Sequence, residues 1–307
     1  MLSELLKVQL NSDLIRLICF INYLIVLSSL KQKTLSGVLW SCVERFSVQG
    51  IQFVIMVIMA RILLPSDYGM IGMLAVFLQI SQTFIDSGFS DALVQKKDRT
   101  ETDLSTVFYF NIIISVLLYI LLFIGAPYIA QFYRMPELTL VTRVIMLNLI
   151  FSSFAAVPTI LTIRIDFKSQ SKISLISAII SGIVGITMAY KGLGVWALVI
   201  QSLLNASLTV LLFFYYINWR PLKVFSKESF QRLFSFGSKL LFSRLIHALY
   251  YNLYSLVIGR KYSSAELGYY TRAEQFAILP SSNINAIISR VTFPILSNIQ
   301  DDNVRLA

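Results

Sequence analysis

The chain has 307 residues, 56% hydrophobic and only 14% charged, with a net charge of +10. A soluble domain carries about 25% charged residues, so a mean hydropathy of +0.73 excludes a soluble globular protein and predicts a polytopic membrane protein. The positive charge does not point to nucleic acid, because the basic residues sit in short loops between apolar runs; Cys19 and Cys42 lie in apolar segments and suggest neither a disulfide framework nor a metal site.

Residues 1–33 read as an N-terminal extension. The uncharged run between Arg16 and Lys31 is short for a span and closer to the apolar region of a signal sequence, with no A-x-A-like site after it. An interfacial helix, a wrongly assigned start codon and an extra span are the alternatives. The first two are favoured, because an extra span would invert the loop charges described below. Residues 35–64 are long and apolar enough to cross a bilayer, which takes about 20 residues. Glu44 and Arg45 interrupt this run, and a charge at membrane depth costs at least about 2.5 kcal/mol. Thr34, Gly37, Ser41, Glu44, Arg45, Gln49 and Gln52 fall within about 140° of a helical wheel. One wet face on a spanning helix predicts a cavity walled by other helices. The alternative is that Glu44 and Arg45 each pair with a neighbouring helix.

A turn at 65–69 leads to a second span over 68–94, with Asp86 and Asp91 toward its end. A polar loop at 95–103 precedes a third span at 104–125. Pro127, Arg134 and Pro136 mark 126–137 as the next loop. A fourth span covers 138–163, with Arg143 near enough to its start to reach the interface. The basic stretch 164–172 leads to a fifth span at 173–190, whose small residues let helix backbones approach closely. A turn at 191–194 precedes a sixth span at 195–217. The basic linker 218–232 is followed by a seventh span at 233–258 and an eighth at 265–295, kinked at Pro280. The expected class is all-α, a polytopic helical bundle. Residues 34–217 form a six-helix N-terminal lobe, and 233–307 hold the first two helices of a second lobe.

Alternate connections carry Lys31 and Lys33; Lys96, Lys97 and Arg99; Arg164, Lys168 and Lys172; and Arg220, Lys223, Lys227 and Arg232. The opposite ones carry only Arg61, Arg134, Arg143, Lys191, Arg260 and Lys261. The excess places the first set, with the linker 218–232, in the cytoplasm.

The seventh span repeats the design of the first. Lys239, Ser243, His247, Tyr250 and Tyr254 form one stripe, with Arg244 and Tyr251 further round. Arg45, Arg61, Asp67, Gly69 and Phe77 recur as Arg244, Arg260, Glu266, Gly268 and Phe276, all at one offset in sequence. This predicts an internal repeat of about six helices, with 35–79 and 234–278 as equivalent helix-turn-helix units and Gly69 over Gly268. A chain with one repeat and two further helices reads as truncated after the eighth.

The segments Ala60-Arg61-Ile62-Leu63-Leu64-Pro65-Ser66-Asp67-Tyr68-Gly69, Asp86-Ser87-Gly88-Phe89-Ser90, Gly192-Leu193-Gly194-Val195-Trp196-Ala197-Leu198 and Leu267-Gly268-Tyr269-Tyr270 carry a resemblance, as do Ile288 to Pro294 and Ile299 to Asp302. From about Lys31 onward the chain resembles the Wzx-type polysaccharide exporters of the multidrug/oligosaccharidyl-lipid/polysaccharide flippase superfamily, in particular the colanic-acid-exporter-like members. The resemblance implies a bacterial inner-membrane transporter with two lobes and alternating access. Its cargo would be an undecaprenyl-diphosphate-linked oligosaccharide, moved from the inner to the outer leaflet. It implies no catalytic residues and no cofactor. Its partners would be membrane lipids and the polymerase and assembly proteins of the polysaccharide.

In that setting Arg45 and Arg244 are the candidates for the diphosphate, since arginine offers a bidentate fork and stays charged when buried. The weighed alternative for both is an inter-helix salt bridge. Tyr250 and Tyr254 could stack on sugar faces, and Arg272 is a further cavity candidate. Glu44, Asp86 and His247 are candidates for ion coupling, with packing the favoured role of the histidine. Two other functions compete: a multidrug cation exporter, which should favour acidic cavity residues, and a membrane enzyme of glycan assembly, which would need a catalytic group at a membrane face.

Overall fold

A computed structural model of the chain describes residues 47–86, 89, 92–93, 98, 100–155, 160–161, 167–217 and 219–278. The N-terminal extension, Glu44, Arg45 and the kink expected at Pro280 lie outside the described residues. Among those described, every regular element is helical.

Helix α1 covers Ser47–Ile62, and α2 follows at once over Pro65–Asp86. Pro65 suits the first helical position, where its missing N–H is not needed. Asp67 reaches back to accept the Leu64 N–H at 3.0 Å, which fixes the entry of the chain. Helix α3, Glu101–Tyr133, starts at a capping box: Thr100 Oγ1 accepts from the Asp103 N–H, and Asp103 Oδ2 from the Thr100 N–H. Helix α4 is Leu138–Ile145 and α5 is Asn148–Ser152, continued by a 3-10 turn at Ser153–Ala155. Helices α6, Phe167–Tyr190, and α7, Val195–Tyr216, form a hairpin. Helix α8 is Lys227–Lys261, and α9 covers 264–278.

Among the described residues, four helices are long and apolar enough to cross a membrane: Pro65–Asp86, Glu101–Tyr133, Ser169–Tyr190 and Val195–Tyr216. The chain is a multi-pass membrane protein. Helix α8 has the length, 35 residues or about 52 Å, but Lys239, Arg244, His247 and Asn252 keep it below the hydropathy of the other four.

Two expected boundaries were wrong. The loop expected at 126–137 is helical to Tyr133, straight through Pro127. Proline at 127 removes the bond that Phe123 C=O would accept four residues later. Arg143 Nε donates to that carbonyl at 3.4 Å, with its guanidinium 4.5 Å from the Phe123 ring centroid. A neighbouring helix thus meets the acceptor that the proline freed, as membrane helices require. The real stop is Arg134, left-handed at φ 57°, with the Met135 N–H closing onto Ala130 C=O at 2.9 Å. Replacing Arg143 with methionine should therefore lower stability in detergent by about 1–3 kcal/mol. Adding Pro127→Ala, which restores the donor, should recover most of it; thermal unfolding of the two variants reads both.

The segment expected as a span at 138–163 is helical in its described stretch up to Ala155, but bent. Around Met146 and Leu147 the backbone tightens to three-residue bonds, Leu147 N–H to Val144 C=O and Ile150 N–H to Leu147 C=O. Asn148 Nδ2 donates to Ile145 C=O at 3.0 Å and to Ser202 Oγ at 3.2 Å. A side chain that competes for backbone carbonyls bends a helix. The linker is also shorter than expected, because α8 begins at Lys227, capped by Ser226. Trp219 Nε1 donates to Glu101 at 2.7 Å, and the Leu222 and Ser226 N–H groups donate to Ser105 and Thr106. These bonds tie the linker to the first turn of α3.

Helix α2 is the hub, packed on α3, α5, α7 and α8. Met73, Leu74, Leu138, Ile145, Leu149 and Val199 form its core with Leu267 of α9. An aromatic cluster fills the opposite end, with Phe89 against Phe110 and Phe230, and Phe108 against Trp219. Leu117, Ile120 and Ile124 of α3 and Leu211 of α7 face outward, as lipid contact demands.

The offset expected for the repeat recurs in one contact, where α2 crosses α9. A Cβ on Gly69 would lie 1.7 Å from Ser264 O, and one on Gly268 would lie 1.9 Å from Pro65 O. Pro65 and Gly69 stand to Ser264 and Gly268 at the same offset that relates Arg61 to Arg260. The contact is therefore self-complementary, as a two-fold relation requires. The caps agree: Glu266 accepts the Ser263 N–H at 2.8 Å, just as Asp67 accepts that of Leu64.

Candidate functional site

Antiparallel packing of α2 on α8 builds a polar seam inside an apolar bundle. Asp86, the last residue of α2, pairs with Arg244 of α8. Two turns away, Asn252 Nδ2 donates to Gln79 Oε1 at 2.6 Å. The ion pair is not sealed: the Arg244 side chain is 40% exposed and that of Asp86 34%. Asp86 also lines a cavity of about 410 Å³ with Gln82, Ser152, Asn205, Thr209 and a wall of phenylalanines.

A second cavity, about 250 Å³, is lined by Gln52, Tyr68, Gln201, Asn205, Arg272 and Gln275 among others. Arg272 rests on the face of Tyr68, with Cζ 4.0 Å from the ring centroid. Asn205 borders both cavities. Gln201, Asn205 and Thr209 recur every four residues on α7, one polar column down one face. Sequence reasoning passed over this column, although its spacing in an otherwise apolar span was the signal that could have found it.

The structure brings together some of the expected site residues and separates others. Arg244 and Asp86 meet, which is the salt-bridge arrangement weighed for Arg244. Arg272 lines the smaller cavity. His247, Tyr250 and Tyr254 do share one face of α8, but that face is exposed and lines neither cavity. His247 stacks on Tyr251, ring centroids 6.1 Å apart. Glu44 and Arg45 lie outside the described residues.

The turn between α6 and α7 supports α2 from the side. Gly194 has φ 53°, and a Cβ there would meet Asp67 Oδ1 at 3.1 Å. The Asp67 carboxylate therefore lies at the start of α7, where the helix dipole favours negative charge. This contact joins two of the segments that carry the sequence resemblance.

Comparison with known proteins adds names to this geometry. The profile of a family described as polysaccharide biosynthesis protein matches residues 58–307. The chain is 30% identical over 278 residues to the teichuronic acid biosynthesis protein TuaB of Bacillus subtilis, covering 90% of this chain and 58% of TuaB. It is 27% identical over 286 residues to the lipopolysaccharide biosynthesis protein WzxC of Escherichia coli, covering 91% of this chain and 57% of WzxC. It is 24% identical over 267 residues to the succinoglycan biosynthesis transport protein ExoT of Rhizobium meliloti, covering 87% and 54%. The chain thus spans a little over half the length of these relatives. No solved structure matches it.

Proposed function

Because the chain belongs to the polysaccharide biosynthesis protein family, with its profile matched over 58–307, we propose that it is part of a transporter that moves undecaprenyl-diphosphate-linked oligosaccharide from the inner to the outer leaflet of a bacterial plasma membrane. It works by alternating access of two lobes, hands its cargo to the polymerase and assembly machinery, and catalyses no covalent chemistry. The basic loops face the cytoplasm.

The observation that carries this reading is the half-exposed Arg244–Asp86 pair between α2 and α8. A diphosphate crossing a low-dielectric slab needs a cation that stays charged, and arginine gives one with a bidentate fork. Asp86 holds that fork until a stronger, bidentate anion competes for it. Capture of cargo then breaks the tie between the first-lobe helix α2 and the second-lobe helix α8, which couples binding to movement of the lobes. Arg45, which stands at the same sequence offset from Arg244 as Arg61 from Arg260, is a second candidate for the same anion. An inside-negative potential assists outward transfer by about 2.3 kcal/mol per charge per 100 mV.

A photoreactive undecaprenyl-diphosphate oligosaccharide tests the reading directly. In nanodiscs it should label peptides of α2 and α8, and unlabelled lipid-linked sugar should compete. Labelling displaced by lipophilic cations instead would favour a multidrug exporter, and no labelling of α2 or α8 would defeat the proposal.

A further inference from the structure

The smaller cavity is a built site distinct from the Arg244 seam. Its volume of about 250 Å³ is below the roughly 300–1,000 Å³ of pockets that hold drug-sized ligands. It fits one sugar ring or one small anion, not a chain. Two buried polar atoms in its wall have no hydrogen-bond partner: Arg272 Nε and Tyr68 Oη. Tyr68 is 4% exposed. Buried donors are normally paired, and an orphan calls for an explanation. Arg272 also lacks a counter-charge among the described residues. The carboxylate nearest in sequence, Glu274, is engaged by the Tyr270 hydroxyl, and Asp86 and Asp103 pair with other arginines. Stacking on Tyr68 orients the guanidinium plane. The remaining wall is amide-rich, with Gln52, Gln201, Asn205 and Gln275. Amides both donate and accept, which matches the vicinal hydroxyls of a sugar.

We propose that this cavity binds one anionic sugar residue, with its oxyanion on the Arg272 fork and its hydroxyls on Tyr68 Oη and the surrounding amides. Two sources carry that chemistry: an acidic sugar within the glycan, or the sugar phosphate at the lipid end. The inference rests on the transport reading only for how such a sugar reaches the cavity; its recognition is testable with free ligands.

The experiment measures binding of glucuronate, glucose 1-phosphate and glucose to the chain in nanodiscs by calorimetry. At least one anionic probe should bind tenfold or more tightly than glucose. Preference for glucuronate assigns the site to an acidic sugar, and preference for glucose 1-phosphate assigns it to the lipid-proximal residue. Arg272→Gln should weaken the preferred probe by about 10- to 150-fold. Arg272→Lys should recover part of the loss, because the charge survives without the fork. Tyr68→Phe keeps the stacking ring and should cost a few-fold. Equal affinity for charged and neutral probes, or no binding of any, overturns the proposal, as does unchanged binding in Arg272→Gln. Should that variant not fold, unchanged binding in both Arg272→Lys and Tyr68→Phe overturns it. Sugar binding that persists while lipid-linked cargo fails to label α2 and α8 would end the transport reading and leave this site standing.

Discussion

Gly69→Ala and Gly268→Ala should each destabilise the protein more than any other glycine-to-alanine change in the described bundle. The added carbon would sit 1.7 Å from Ser264 O in the first variant and 1.9 Å from Pro65 O in the second. Both obstacles are backbone, so no side chain can rotate away, and α2 and α9 must separate by more than an ångström. Overpacking of this kind typically costs about 1–3 kcal/mol and sometimes more. The gain in helix propensity, about 1 kcal/mol, offsets only part of it. Gly125→Ala is the control, since nothing lies within 4 Å of its Cβ position; it should be neutral or stabilising. One separation of the helices relieves both clashes, so the double variant should cost clearly less than the sum of the singles. Thermal unfolding in detergent measures all four proteins. Gly69→Ala as stable as the parent would mean that the helices do not meet there.

The second large effect concerns the ion pair. If Arg244 captures the cargo diphosphate, Arg244→Ala should weaken capture by about 10- to 150-fold, the equivalent of one charge-assisted hydrogen bond. Arg244→Lys should keep part of the affinity. Asp86→Asn should do the opposite and tighten capture, because it removes the charge of one internal competitor for the same guanidinium. The stability cost of either change should be small, about 0–1 kcal/mol, since both partners are partly exposed. A purely structural pair behaves differently: both substitutions would lower the amount of folded protein, and neither would alter capture per folded molecule. The opposed signs of Arg244→Ala and Asp86→Asn separate the two accounts.

Much of this architecture was legible in the sequence because membrane helices leave strong traces. Apolar run length located α2, α3, α6 and α7. The paired positions at the shared offset were legible because they are backbone constraints. A glycine is forced at 69 and 268 by a close crossing, and an acid at 67 and 266 by the same reach-back cap. Local rules failed where a distant residue changed the local outcome. Pro127 and Arg134 read as a loop, but Arg143 accepts the role of the missing donor and the helix continues. Asn148 bends its helix by reaching Ser202, a contact that sequence spacing does not reveal.

The site was legible only in part. Helical periodicity correctly put His247, Tyr250 and Tyr254 on one stripe of α8. Periodicity does not say what a stripe faces, and this one faces outward from the described bundle. Both ends of the Arg244–Asp86 pair were singled out separately, yet their meeting depends on the antiparallel packing of α2 and α8. The Gln201–Asn205–Thr209 column was visible as a spacing but carried no charge to draw notice. It became significant when it proved to border both cavities.

The most direct test of the central claim is leaflet transfer. The full-length protein is reconstituted in vesicles with fluorescent undecaprenyl-diphosphate oligosaccharide in both leaflets, and a membrane-impermeant quencher reads the outer one. The account predicts time-dependent exchange of the lipid-linked sugar between leaflets, slowed at least tenfold by Arg244→Ala at equal protein content. Exchange no faster than in protein-free vesicles, or exchange at the parent rate in Arg244→Ala, would contradict it.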